Sequence, residues 1–288
     1  MKKIAIVTDS NSGITQKEAK ELDIYVLPMP FFVDGEMFLE GVTLTKEEFF
    51  KRLDEGADIS TSMPSPGDVM DLWNRALEDS DQVLHIPMSS AFSGSCEAAA
   101  MLAKDFQGKV VVVDNKRITV TLEQAIHDAI ALRKAGKTIE EMKETLEASG
   151  RNFSIFMTVA DLKYLKKGGR ISAAAATIGG MLNLKPVLSV QGDALNAIAK
   201  KRGMTAARRA MLNFVKEDIA QKFANSGDKL VLSIAHTVSG SELDGWLKEI
   251  KEHFPQFKDI VCRYVPLSIA CHCGPGLLGI GLMQKVEV

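Results

Sequence analysis

Along the first 150 residues, short apolar runs alternate with helical segments, and that rhythm leaves few folds open. The runs are Ile4-Ala5-Ile6-Val7, Tyr25-Val26-Leu27-Pro28, Val83-Leu84-His85-Ile86 and Val110-Val111-Val112-Val113. Continuous apolar runs, rather than alternating ones, predict strands buried on both faces, as in a parallel sheet covered on each side by helices. The helices are expected near 16–22, 46–53, 66–78, from Gly94 onward, 121–135 and 139–148. Thr45 with Glu48, and Thr138 with Glu141, have the spacing of capping boxes. Asp34-Gly35, between Phe31-Phe32-Val33 and Glu36-Met37-Phe38, predicts a tight hairpin.

The second half has a different rhythm. Strands are expected at 153–158, 229–235 and 260–265, and helices at 161–166, 172–182, 205–223 and 241–253. Val187-Leu188-Ser189-Val190 and Ala194-Leu195-Asn196-Ala197 flank Gln191-Gly192-Asp193, the pattern of a second hairpin. Hairpins mixed with helices predict an α+β domain with a mixed, partly antiparallel sheet. The expected class is therefore α/β with two domains, 1–150 with a parallel sheet and 151–288, the boundary falling at Ser149-Gly150-Arg151. A chain of 288 residues fits two domains of ordinary size.

Charge narrows the partners. With 35 Lys and Arg against 37 Asp and Glu, the chain lacks the basic footprint of a nucleic-acid binder. No run approaches 18 apolar residues, and the start MKKIAIVTDS reaches Asp9 too soon for a signal-peptide core. Four cysteines in a chain this long make no disulfide framework. A soluble cytoplasmic protein without stable membrane insertion is expected.

Three polar clusters follow predicted strands or precede predicted helices: Thr8 to Ser12, Ser60 to Ser65, and Ser89 to Ser95. Loops at the carboxyl ends of parallel strands are where such sheets bind ligands. Hydroxyls beside helix N-terminal N–H groups suit an anion, though each cluster alone also reads as ordinary capping. Together they suggest an oxyanion or carboxylate site.

His85, His127 and His253 read as core or solvated residues, whereas His236, after a strand, is placed to face a cleft. Cys271-His272-Cys273 invites a metal, but adjacent side chains splay apart and no second ligand pair accompanies them. Gly274-Pro275-Gly276-Leu277-Leu278-Gly279 matches a dinucleotide fingerprint in letters only, lacking the βαβ context and the acidic residue downstream. Ser93, His272 and Asp9 are the residue types of a hydrolytic triad, without a spacing that supports its geometry. In the basic loop Lys166 to Ser172, Arg170 is able to clamp a carboxylate or phosphate. Lys200-Lys201-Arg202 and Arg208-Arg209 form a second basic stretch, suited to an acidic partner or simply to water.

Six segments in order resemble one family. They are Thr8-Asp9-Ser10, Thr61-Ser62-Met63-Pro64-Ser65-Pro66, Ser89-Ser90-Ala91-Phe92-Ser93-Gly94, Leu165 to Ile171, Leu184-Lys185-Pro186 and His272-Cys273-Gly274-Pro275-Gly276. The chain resembles the DegV family of bacterial fatty-acid-binding proteins, which includes the FakB-type carrier subunits of fatty acid kinase. The resemblance implies two α/β domains with one long-chain fatty acid, such as palmitate or oleate, buried between them. It implies that Thr61, Ser62, Ser93, the Gly94 backbone and His272 hold the carboxylate, with Arg170 and Arg202 candidates for ligand or partner contact. It further implies a non-catalytic carrier that presents the bound acid to a separate kinase for acyl-phosphate formation, with no other cofactor and no metal. The alternative is a serine-based acyl hydrolase using Ser93 and His272. Departures from the family pattern fall at Met63, Ser95-Cys96 and Cys273.

Overall fold

In a computed structural model, residues 2–171, 183–191 and 194–288 are described. The chain separates into two units, one of Met1–Arg151 with Pro266–Ser268 and Val286–Val288, the other of Asn152–Val265 with Ile269–Lys285.

The first unit is built on a four-stranded parallel sheet of β1 (Ile4–Asp9), β2 (Tyr25–Leu27), β6 (Gln82–Ile86) and β7 (Val110–Val112), in the order β2-β1-β6-β7. Side chains alternate across a strand, so β1 feeds two cores at once. Ile4 and Ile6 pack with α1 (Gln16–Glu21), α5 (Val120–Lys134) and α6 (Ile139–Ala148) through Ala19, Leu122, Ile126, Met142 and Leu146. Ala5 and Val7 point the other way, against Leu72 and Trp73 of α3 (Pro66–Glu78) and Ala99 of α4 (Ser95–Leu102). This is the two-faced burial that the apolar runs require.

The Asp34-Gly35 hairpin forms, with β3 (Pro30–Val33) antiparallel to β4 (Glu36–Leu39) and both turn residues at positive φ, 52° and 81°. A strand not expected from the sequence, β5 (Ile59–Thr61), adds to the other side of β3. Thr138 and Glu141 form a complete capping box at α6. At α2 (Lys46–Asp54), Thr45 Oγ1 accepts the Glu48 N–H. The Glu48 carboxylate instead accepts from Arg52 Nε at 3.0 Å, one turn on.

The second unit carries a six-stranded mixed sheet in the order β10-β9-β8-β13-β11-β12. Its strands are β8 (Phe153–Thr158), β9 (Leu184–Val190), β10 (Leu195–Arg202), β11 (Leu230–His236), β12 (Val261–Tyr264) and β13 (Leu278–Gln284). Among the described residues, only β11 and β12 are parallel neighbours in this sheet. Among the described residues, the remaining helices are α7 (Lys163–Lys167), α8 (Met204–Ala220), α9 (Gly240–His253) and α10 (Leu267–Cys273). Met211 and Val215 of α8 and Trp246 and Ile250 of α9 pack on Phe156, Leu232, Ile234 and Ile280 of the sheet. The helix expected over 172–182 and the turn residues Gly192-Asp193 lie outside the described residues.

Two elements depart from expectation. β13, a central strand not expected from the sequence, begins at the last two positions of the Gly274–Gly279 stretch that matched a nucleotide fingerprint in letters. The Cys271-His272-Cys273 segment is the last turn of α10, a helix not expected from the sequence. The start of that helix is capped from far away, because the Glu40 carboxylate accepts the N–H groups of Leu267 and Ser268, both at 2.7 Å. No helix among the described residues is long and apolar enough to cross a membrane.

Candidate functional site

The three polar clusters have different fates. In Thr8 to Ser12 the polar groups serve the fold itself. Thr8 Oγ1 donates to the Ile86 carbonyl, Ser10 Oγ accepts from Met29 N–H, and Ser12 Oγ donates to the Asp9 carbonyl. Asp9 accepts from the N–H groups of Asn11 (3.0 Å) and Met88 (2.8 Å), fastening the ends of β1 and β6 together. All five residues are buried. Burial drives the Asp9 carboxyl up to about 6, against the lowering effect of those N–H donors.

The second cluster begins on β5, where Thr61 is paired in register with Phe31 and half-buried. Ser62, next along, is exposed, and its hydroxyl donates to the Met63 carbonyl at 3.1 Å. Ser65 caps α3, accepting the Asp68 N–H at 3.1 Å and donating to the Asp68 carboxylate at 2.7 Å, with Pro66 at the first helical position. Beside this loop opens a cleft of about 1110 Å³, with Leu27, Pro30, Phe32 and Met37 on one wall and Ser62 to Pro66 on another.

The third cluster is anchored below and open above. Ser89 is buried and hydrogen-bonds the Arg117 carbonyl through its N–H. Ser90 Oγ donates to Asp114 and accepts from Lys116 Nζ at 2.8 Å, an ion-paired group that fixes the start of the loop. Ser93 is half-buried and Gly94 exposed. Gly94 sits at φ −70°, ψ −1° before α4 and offers no side-chain cap. Ser93 caps the helix in its place, its Oγ accepting the Ser95 N–H at 3.2 Å and donating to Ser95 Oγ at 3.0 Å. The second and third clusters meet, since Met63 Sδ stands 3.1 Å from where a Cβ on Gly94 would lie.

His272 belongs to the second unit and is half-buried on α10. Burial first, then the nearby Arg170 charge, lower its pKa to about 4, so the imidazole is neutral in the physiological range. Its ring is crowded by the basic glycine loop, where a Cβ on Gly168 would lie 2.0 Å from Nδ1. Arg170, exposed, donates from Nη1 to the Gly168 carbonyl. Gly274 and Gly276 have positive φ, and a Cβ on either would collide with Tyr164 (2.2 Å) or Ala160 (2.6 Å). Those glycines serve close packing against α7 and the segment before it. Arg202, exposed, ends β10 opposite Leu184.

The other histidines stand apart. His236 is buried rather than facing a cleft, its Nδ1 against the Val238 carbonyl at 2.8 Å and its ring edge-on to Tyr264. His85 is buried beside Trp73, His127 pairs with Glu123 at 4.0 Å, and His253 meets Lys216. Among the described residues, no three His, Cys, Asp or Glu side chains gather as a metal site. Cys96, Cys271 and Cys273 are buried thiols, and burial raises Cys96 and Cys273 to about 12. Sequence reading gave no role to Asp114, Lys116 or Tyr164. Lys116 pairs with Asp114 two positions away, but its bond to Ser90, like the approach of Tyr164 to Gly274, joins residues distant in the chain and left no local signal.

A family model for DegV proteins, described as an uncharacterised protein family, matches residues 3–285. This chain belongs to the DegV family. A DegV domain-containing protein of Deinococcus radiodurans is 32% identical over 280 residues, covering 97% of this chain and 98% of the relative. A Thermus thermophilus DegV family structure, described by its fatty acid binding, superposes with a TM-score of 0.88 at 29% identity, covering 98% of this chain and 99% of the other. A stearic-acid-binding protein of Eubacterium ventriosum gives a TM-score of 0.88 at 26% identity, covering 99% of each chain. The parallel and mixed sheets described above are thus the architecture of this DegV family.

Proposed function

We propose that this DegV chain is a non-catalytic, cytoplasmic carrier that binds one long-chain fatty acid and presents its carboxylate to a partner kinase for acyl-phosphate formation. The observation that carries the reading is the end-to-end likeness to the Thermus thermophilus fatty-acid-binding structure. The head group is assigned to Thr61, Ser62, Ser93 and the Gly94 backbone in the first unit and His272 in the second. Arg170 and Arg202 are assigned to contacts with ligand or partner.

Chemistry supports these assignments. Thr61, Ser62 and Ser93 offer neutral donors, and a neutral imidazole adds one more N–H. A carboxylate taken from water without partners costs several kcal/mol, so a carrier needs such donors. The chain supplies the affinity: about fourteen methylenes at about 0.8 kcal/mol each give roughly 11 kcal/mol of gross transfer free energy. Lost freedom on binding offsets part of it. The hydrolase alternative needs a base on Ser93, whose hydroxyl is engaged with Ser95 instead.

The test is mass spectrometry of the purified protein, native and then after solvent extraction. About one equivalent of a C14–C18 fatty acid is expected. Absence of any lipid, together with no uptake of palmitate or oleate, overturns the reading. Turnover of an activated acyl ester, abolished in Ser93→Ala, would establish the hydrolase.

A further inference from the structure

Ser93 Oγ has one proton and two lone pairs. One lone pair takes the Ser95 N–H at 3.2 Å, and Ser95 Oγ stands at hydrogen-bond distance, 3.0 Å, where either hydroxyl is able to donate to the other. Ser95 is only 9% exposed, in the first turn of α4, whereas Ser93 is half-buried and next to exposed Gly94. A carboxylate only accepts hydrogen bonds. To bind one, Ser93 has to point its proton outward, which leaves its second lone pair facing the Ser95 hydroxyl 3.0 Å away.

We propose that Ser95 is the positioning residue of the head-group site. With a carboxylate bound, the Ser93 proton faces the anion and the Ser95 O–H donates into the second Ser93 lone pair. Ser93 then accepts twice from Ser95, through its N–H and its O–H, and donates once to the carboxylate. No covalent bond changes and no proton leaves either serine. The two hydroxyl dipoles align head to tail toward the negative charge, so each hydrogen bond strengthens the next. This inference rests on the fatty-acid reading given above and adds to it a residue that never touches the ligand.

The test compares Ser95→Thr with Ser95→Val. The two are nearly isosteric and equally branched, so their effects on helix and packing are alike, and both keep the backbone N–H to Ser93. They differ in the hydroxyl alone. Delipidated protein is titrated with palmitate carrying ¹³C at the carboxyl, and affinity and the ¹³C titration curve of the bound acid are read together. Ser95→Thr should bind within two-fold of the parent. Ser95→Val should bind about five-fold more weakly, the typical worth of one hydrogen bond. Its bound carboxylate should also titrate at higher pH, because the anion has lost a stabilising dipole. Ser95→Ala should behave as Ser95→Val, which covers the case in which valine disturbs the helix start.

Equal affinity and equal titration in the threonine and valine variants overturn the proposal. So does an equal loss in both, which would mark the position as steric. If Ser93→Ala weakens binding in either case, the head-group reading stands while the role of Ser95 falls. If the parent takes up no palmitate, or Ser93→Ala binds like the parent, both fall together.

Discussion

Met63 Sδ lies 3.1 Å from the point where a Cβ on Gly94 would sit, which ties the Thr61–Ser65 loop to the Ser93–Ser95 loop through one thioether. Gly94 has ordinary right-handed φ and ψ, and Met63 is 47% exposed. A methyl at Gly94 therefore meets the free end of a flexible side chain with space to swing into. Gly94→Ala also restricts the unfolded chain, which contributes about 0.4–1 kcal/mol of stability. The substitution is expected to leave the urea midpoint unchanged or slightly raised. A loss above about 1 kcal/mol would mean that Met63 is held more rigidly than its exposure implies.

The same substitution at Gly274 should behave in the opposite way. There φ is +69°, and a Cβ would lie 2.2 Å from Tyr164 Cδ2, inside the ring's own volume. Backbone strain of about 1 kcal/mol adds to an overpacking cost of about 1–3 kcal/mol. Gly274→Ala should lower the urea midpoint accordingly. Combining it with Tyr164→Ala should recover the overpacking part but not the strain. A double variant no better than the sum of the two singles would remove Tyr164 from the account.

Gly168→Ala tests the setting of His272. Gly168 has helical φ and ψ, so alanine adds no backbone strain, but its methyl would lie 2.0 Å from Nδ1 of His272. The ring has to move, and motion toward water relieves the burial that lowers its pKa to about 4. The imidazole of Gly168→Ala should therefore titrate closer to the ordinary value near 6.5, read by NMR of the ring. An unmoved titration would mean that the ring shifts sideways within the same environment.

Local chemistry made much of this fold legible. Apolar runs of four residues sufficed for β1, β6 and β7, and Asp34-Gly35 for the β3–β4 turn, because buried strands and left-handed turns each demand particular residue types. β13 was hidden because Gly279 and Gly281 punctuate it, and glycine weakens the strand pattern where neighbouring backbone comes close. A Cβ on Gly279 would sit 3.3 Å from the Ala235 carbonyl oxygen. Pro266 was the available local signal for α10, whereas its cap, Glu40, lies 227 positions away in the chain. Of the serine-rich clusters, the motif could not separate Thr8 to Ser12, whose polar groups serve the backbone, from Ser93, whose hydroxyl is half-buried. That difference lies in burial, which residue type alone does not encode.

Acid stability turns on His85 and Asp9, which act with opposite signs. His85 lies on β6 between Val7 and Val112, its ring edge-on to Trp73 at 5.6 Å, and neither ring nitrogen has a hydrogen-bond partner among the described residues. Burial lowers its pKa to about 3. Between that value and about 6.5 the unfolded chain holds a proton on His85 that the folded chain does not, so stability falls as pH falls, by roughly 3–5 kcal/mol in total. Asp9, raised to about 6, is protonated in the folded chain and ionised in the unfolded chain between about 4 and 6, so its contribution rises as pH falls. Of this pair His85 has the wider window: the two slopes offset between about pH 6 and 4, and the His85 loss shows from about 6.5 to 6 and again below about 4. His85→Leu removes the two unpaired nitrogens and the His85 slope, so its stability should gain on the parent's as pH falls from about 6.5 to 4, where His85 no longer opposes Asp9. Urea unfolding followed by Trp73 fluorescence in a Trp246→Phe background, repeated at intervals from pH 7.5 to 4, measures both slopes. Parallel pH curves for the parent and His85→Leu would show that His85 is protonated in the folded state, against the burial that encloses it.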